Sequence, residues 1–364
     1  MIPKHPRPSQ VTAGLGVLVL AALASVVACS KRGPRDLRGR DAQSELGESR
    51  ARDASADGPE RVVAPPTPTG RKPREIAKAN SRALATDATH VYFGDGDDDT
   101  LCSVEKMPAE GASNEPVRIA RRAPIASALA LDSHEAALAW IGTPGDVVLR
   151  VPVRGGAPTT VRDRAIFTDV AASGGDVFVT EARGSGGSLT RVTKSTAAQL
   201  ATFEGTPRGI VVDADNVYVE TSSRLLSSPR TRGELSELAR GSAFASPHID
   251  DGWLYATTTH PTERRRIIVR VRKTGGALET VATNVRDASI AAHHGVLYWF
   301  DADRPALLSS PIGADTPGRP HPAPRVVSED PILDRVNALV VDDDGAFVAT
   351  GHGEAARILV ISLR

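Results

Sequence analysis

The chain has 364 residues, and its 44 Lys and Arg balance 44 Asp and Glu, so no broad basic field marks it for nucleic acid or an anionic surface. Two cysteines exclude a disulfide framework, and a core must stand on packing alone.

From the N-terminus, Lys4, His5 and Arg7 precede an apolar stretch running from Val11 to Ala28. Val26-Val27-Ala28-Cys29 then gives a branched apolar residue, two small or medium ones and a cysteine. These residues resemble a bacterial lipoprotein signal peptide, 1–28, which is set apart from fold reasoning. The resemblance implies cleavage before Cys29 and lipidation of its thiol and new amino terminus. Each buried methylene of the acyl chains contributes roughly 0.8 kcal/mol to anchorage. The alternative is an uncleaved span, because the stretch is just long enough to cross a bilayer; the placing of Cys29 argues against it. Ser30 follows the cysteine. In the Gram-negative sorting rule that these residues resemble, an Asp there retains the protein at the inner membrane, so Ser30 favours an outer-membrane address, facing the periplasm or the cell surface. With Cys29 acylated, Cys102 lacks a partner, and between Leu101 and Val104 it reads as a small core residue.

Residues 29–73 are rich in Arg, Asp, Glu, Ser, Gly and Pro, with Ala64-Pro65-Pro66-Thr67-Pro68-Thr69 near their end and no aromatic. Such a segment cannot bury enough apolar area to offset chain entropy. It reads as a disordered tether, with contact to peptidoglycan or anionic lipid as the functional alternative.

Residues 74–364 repeat one pattern seven times: an apolar run, a turn residue, then an apolar run carrying an aromatic. The turn positions are Asp87, Asp132, Ser173, Asp213, Asp250, His293 and Asp342, spaced 37 to 49 residues apart. That period suits four-stranded propeller blades. The first strand of a unit is short with small side chains, as in Leu84-Ala85-Thr86 or Ile290-Ala291-Ala292. The second carries Tyr92, Trp140, Phe178, Tyr218, Tyr255, Tyr298 or Phe347, which fill the gap to a neighbouring sheet. The third alternates apolar and basic residues, as in Val148–Val153 and Ile267–Val271. Glycine turns such as Gly155-Gly156 and Gly275-Gly276 lead to an outer strand such as Thr159–Val161 or Thr280–Ala282. Only Glu234–Arg240 could form a turn or two of helix, and even it occupies a fourth-strand position. The fold class is therefore all-β: a seven-bladed β-propeller of four-stranded antiparallel blades. Arg74–Ala77 reads as an outer strand and Arg357–Leu363 as a third strand, so pairing the two ends closes the ring and hides an edge.

Val296-Leu297-Tyr298-Trp299-Phe300-Asp301 and Val91-Tyr92-Phe93-Gly94-Asp95 resemble bacterial propeller repeats of the TolB-like, YWTD-type and virginiamycin-lyase-like groups. YWTD-type domains usually carry six blades, and seven copies are countable here. In the lyases, the resemblance implies, a histidine and acidic residues beside a metal do the chemistry.

Candidate sites are few. The turn carboxylates either cap their own turns or form a ring of ligands at one channel mouth. Asp95, Asp97, Asp98 and Asp99 resemble the start of a calcium loop, but Lys106 stands where the bidentate Glu belongs, so an EF-hand is excluded. They read as a solvated hairpin tip, with weak binding of calcium or another divalent ion as the alternative at Asp95, Asp97 and Asp99. His248 stands in a column otherwise filled by Ala and Val, and is either a satisfied histidine or an acid–base group. Gly184-Ser185-Gly186-Gly187-Ser188 lacks the order of a nucleophile elbow and reads as a flexible loop. Arg264-Arg265-Arg266 reads as a solvated cluster.

The expected function is a non-enzymatic binding or scaffold module, monomeric, held to the membrane through Cys29, with a protein partner in the envelope, no nucleic acid and no required cofactor. The alternatives are a metal-assisted lyase or hydrolase at the channel mouth and a small-ligand or glycan sensor.

Overall fold

The computed structural model describes residues 70–108, 114–120, 128–142, 145–231, 234–250, 252–286, 290–312 and 323–363. The expected signal peptide, Cys29 and most of the expected tether lie outside them. The described strands form seven four-stranded antiparallel sheets. Six sheets take their strands in chain order, and the seventh takes Val336–Val341, Gly345–Thr350 and Arg357–Ser362 together with Arg74–Ala77. We number the blades 1 to 7 from Leu84–Thr86.

The innermost strands set the ring. They are Leu84–Thr86, Leu129–Asp132, Ile166–Ser173, Pro207–Val212, Ala245–Asp250, Ala291–His293 and Val336–Val341, each packed on the next, and the seventh packs back on the first. Their small side chains allow that crowding. Gly209 shows the tolerance: a Cβ there would lie 2.5 Å from Cδ of Pro247 in the next blade.

The core divides into seven clusters, one at every seam between neighbouring blades. Every predicted aromatic is buried, Trp140 and Phe178 completely. Tyr92 and Trp140 pack with Leu101 and Leu138 between blades 1 and 2, while Phe93 and Phe347 pack between blades 7 and 1. A repeat of this kind has no interior of its own, so its stability belongs to the seams. Cys102 is buried among Val104, Phe93 and Ile358 at the closing seam, and burial raises its thiol pKa.

Closure follows the expected pairing. Arg74 faces Val360, Glu75 faces Leu359 and Ala77 faces Ile358, with a register shift between Glu75 and Ala77. The same irregularity lies between the third and outer strand of all seven blades. A bulge there adds to the local right-handed twist of the outer strand.

Several local readings need correction. Gly184–Ser188 is no flexible loop: Arg183 faces Gly186 across a two-residue hairpin, with Gly184 at φ +58°, and the third strand already begins at Gly186. The helical possibility at Glu234–Arg240 is overturned, and Ser236–Arg240 takes the fourth-strand place its position gave, because pairing with Arg224–Ser227 outweighs local propensity. Two 3-10 turns, Pro331–Asp334 and Gly353–Ala355, were not legible, although Asp330 caps the first by accepting from Ile332 N at 3.0 Å. In the basic cluster Arg264 is exposed at φ +55°, whereas Arg266 is drawn inward and donates to Thr257 Oγ1 at 3.0 Å. Among the described residues, no helix is long and apolar enough to cross a membrane.

Candidate functional site

All seven turns between first and second strands share one face of the ring, and the carboxylates of Asp87, Asp132, Asp213 and Asp342 serve their turns. Asp87 accepts from the backbone N–H groups of Thr89 and His90, both at 2.8 Å, and from the Tyr92 hydroxyl. Asp213 repeats the arrangement with Asp215, Asn216 and Tyr218. Partial burial raises both carboxyls, but the hydrogen bonds together outweigh it, so both ionise below the usual aspartate value. Asp132 and Asp342 likewise accept from backbone N–H groups two residues on.

Cations bridge these turns to the next blade. Each lies just past a third strand and reaches back to the neighbouring turn. Lys106 pairs with Asp342 and Asp344, Lys194 with Glu135 at 2.9 Å and Lys273 with Asp213 at 3.1 Å, while Arg230 donates to the Ser173 carbonyl at 2.7 Å. Lys194 is exposed and contributes little. Lys106 is only 3% exposed, so its pairing across the closing seam matters more.

His248 lies in the innermost strand of blade 5, opposite Tyr255. Its Nε2 lies 3.0 Å from the Ala292 carbonyl of blade 6, to which it donates. Burial lowers its pKa, so at neutral pH it is an uncharged donor. Asp95 and Asp97 sit on the opposite face, at a hairpin tip where Asp97 N–H donates to Asp95 Oδ1 at 3.2 Å. Asn80 donates to Asp97 at 3.2 Å, and Arg118 pairs with Asp98. Asp95 and Asp97 line an open space of about 490 Å³ that Lys78 and Arg357 share. Asp99 takes the left-handed turn at φ +50°.

The sequence reading missed a buried acidic pair between blades 3 and 4. Glu220 is fully buried in the second strand of blade 4, and neither carboxylate oxygen has a hydrogen-bond partner. Burial, with the Asp169 charge adding to it, pushes its pKa up to about 8, although Arg208 and Arg266 pull the other way. Asp169, in the innermost strand of blade 3, accepts from Val170 and Ile210 N–H, both at 2.9 Å. Burial nevertheless pushes its pKa up to about 7. Both carboxyls therefore keep their protons to a higher pH than ordinary carboxyls do. A signal was present: two residues past the aromatic, the copies hold Gly94, Gly142, Thr180, Glu220, Thr257, Phe300 and Ala349, and one acid stands among uncharged residues.

The outer strands differ in a way that bears on recognition. Six have four or five residues, and each carries a charge. The outer strand of blade 3, Ala197–Glu204, has eight, reads AAQLATFE, and is uncharged as far as Phe203. Ala197, Ala198, Gln199 and Thr202 are exposed along it.

No protein-family model matches the chain, and no curated protein matches it. Among solved structures, hydrazine synthase from Kuenenia stuttgartiensis is similar with a TM-score of 0.58 at 10% identity, covering 79% of this chain and 96% of that one. YCF48 from Cyanidioschyzon merolae aligns at 0.56 and 10% identity over 80% of this chain and 98% of its own. The AfRom2 CNH domain gives 0.56 and 10% over 80% and 99%. Likeness at these identities shows the fold alone.

Proposed function

We propose that this protein is a binding or scaffold module of the bacterial envelope, anchored through lipidated Cys29, which takes an extended segment of a partner protein along blade 3. One observation carries the binding reading: the outer strand Ala197–Glu204 is longer than any other outer strand and lacks charge along seven residues. Unpaired strand edges template the addition of another strand, and natural edges are blunted with short length and charge. Six blades here are blunted in that way. The turn carboxylates and His248 are engaged by the frame, which supports recognition rather than catalysis.

A photo-crosslinking residue placed at Gln199 in the full chain, expressed in a bacterial envelope, is expected to give one discrete covalent adduct with a protein other than itself. The same residue at Arg325, on the outer strand of blade 6, gives none. No adduct at Gln199, an adduct with a second copy of this chain, or equal adducts at both positions contradicts the reading. For the anchor, intact-mass measurement is expected to show a chain starting at Cys29 with acyl groups added. Cys29→Ser leaves an uncleaved, unacylated chain, and an acylated Ser variant contradicts anchorage there.

A second reading places metal-assisted chemistry at the channel mouth. Glu220 beside Asp169 is the observation that favours it, because strongly raised carboxyls cluster at functional sites.

A further inference from the structure

We infer a divalent transition-metal site across the seam between blades 6 and 7, formed by Nε2 of His293, Nε2 of His294 and Oδ1 of Asp343. Consecutive residues of a strand point to opposite faces, so adjacent histidines ordinarily diverge. Here the innermost strand of blade 6 ends at His293. His294 at φ +47° and Gly295 at φ +70° then turn the chain sharply. The turn swings both imidazoles to one side, with ring centroids 4.1 Å apart. Both Nε2 atoms face one oxygen of Asp343, in the corresponding turn of blade 7, at 2.9 and 2.8 Å.

All three donor atoms lie within 4.8 Å of one another. Metal bonds of about 2.0–2.2 Å set tetrahedral donors roughly 3.4 Å apart, so each Nε2 needs to part from Asp343 Oδ1 by only about half an ångström. His294 and Asp343 are 75% and 69% exposed, which lets them adjust and leaves a coordination position for water. Two imidazoles and a carboxylate select zinc, nickel or copper over calcium and magnesium, which prefer all-oxygen sites.

Position in the fold gives the site a role. His293 occupies the turn position that holds Asp in five of the seven blades. At four other seams a Lys or Arg crosses to the neighbouring turn, whereas here imidazoles meet a carboxylate. A metal ion supplies the positive charge for this seam and ties the turn of blade 6 to that of blade 7.

The test uses the untagged full chain in detergent, stripped with EDTA and titrated with Co2+ and then Zn2+. The expected result is one equivalent of Co2+ with the visible absorption of a low-symmetry four-coordinate complex, displaced by Zn2+. Saturating Zn2+ is expected to raise the melting midpoint by roughly 3–6 °C. The double variant His293→Ala/His294→Ala and the variant Asp343→Asn lose the band and the shift, yet melt like the parent in EDTA. His134→Ala, an exposed turn histidine of blade 2, keeps both. A parent chain with neither band nor shift overturns the site, and so does a double variant that keeps them.

Discussion

A chain that stops at Ala356 shows no cooperative unfolding transition and is recovered only as aggregate. The missing strand, Arg357–Ser362, pairs with Gly345–Thr350 on one side and Arg74–Ala77 on the other, so its loss unzips both. It also takes Ile358, Leu359, Val360 and Ile361 from two seam clusters, where three of the four are at most 1% exposed. Burying each such side chain contributes about 1.5–3 kcal/mol. Four of them together approach the 5–15 kcal/mol that typically separates folded from unfolded states, so nothing remains to hold the ring. Calorimetry of the truncated and full chains checks this. A truncated chain that still melts cooperatively, within a few degrees of the parent, shows that the ends do not close the ring.

Glu220→Gln raises the melting midpoint at pH 8 and leaves it unchanged at pH 4. In the unfolded chain the carboxyl ionises near the ordinary value of 4.5, whereas in the fold it keeps its proton to about 8. Between those values the unfolded state releases a proton that the folded state retains, so stability falls as pH rises across the window and levels off above it. A shift of this size is worth a few kcal/mol, or roughly 5 °C or more in melting midpoint for a domain of this length. Glutamine keeps the shape and cannot ionise, so its melting midpoint depends less on pH. Asp169, with its pKa raised to about 7, retains a slope of the same sign. Melts by circular dichroism from pH 4 to pH 9 decide the matter: parallel curves for parent and variant mean that Glu220 is ionised in the fold.

The repeat was legible because propeller blades are local. Each hairpin lies within one period, so the small innermost strand, the aromatic and the glycine turn can be read from neighbouring residues. Even the closing pair could be placed, since Arg74–Ala77 and Arg357–Ser362 are fragments of one missing blade. What escaped was set between blades. Nothing near Glu220 in the chain announces Asp169, nothing near Gly209 announces Pro247, and nothing near His294 announces Asp343. Spacing gives no register for such meetings across a seam. Local pattern misled at Gly184–Ser188, where a glycine run that suggested mobility makes a tight hairpin and begins a strand. The same hairpin starts the extended sheet of blade 3, whose outer strand carries the binding proposal. Turn chemistry was the clearer case. An aspartate two residues before a free N–H can cap it, and Asp87 and Asp213 do so with matching partners.

Hydrogen exchange read by mass spectrometry on the intact chain tests ring closure most directly. The account predicts that amides of Ile358–Ile361 exchange only through global unfolding. Their rate should match that of Val177–Thr180 and Val217–Glu220 in the middle of the chain. Faster exchange confined to 357–362 and 74–77, with the other blades still protected, means that the two ends open independently and that the ring is not locked by them.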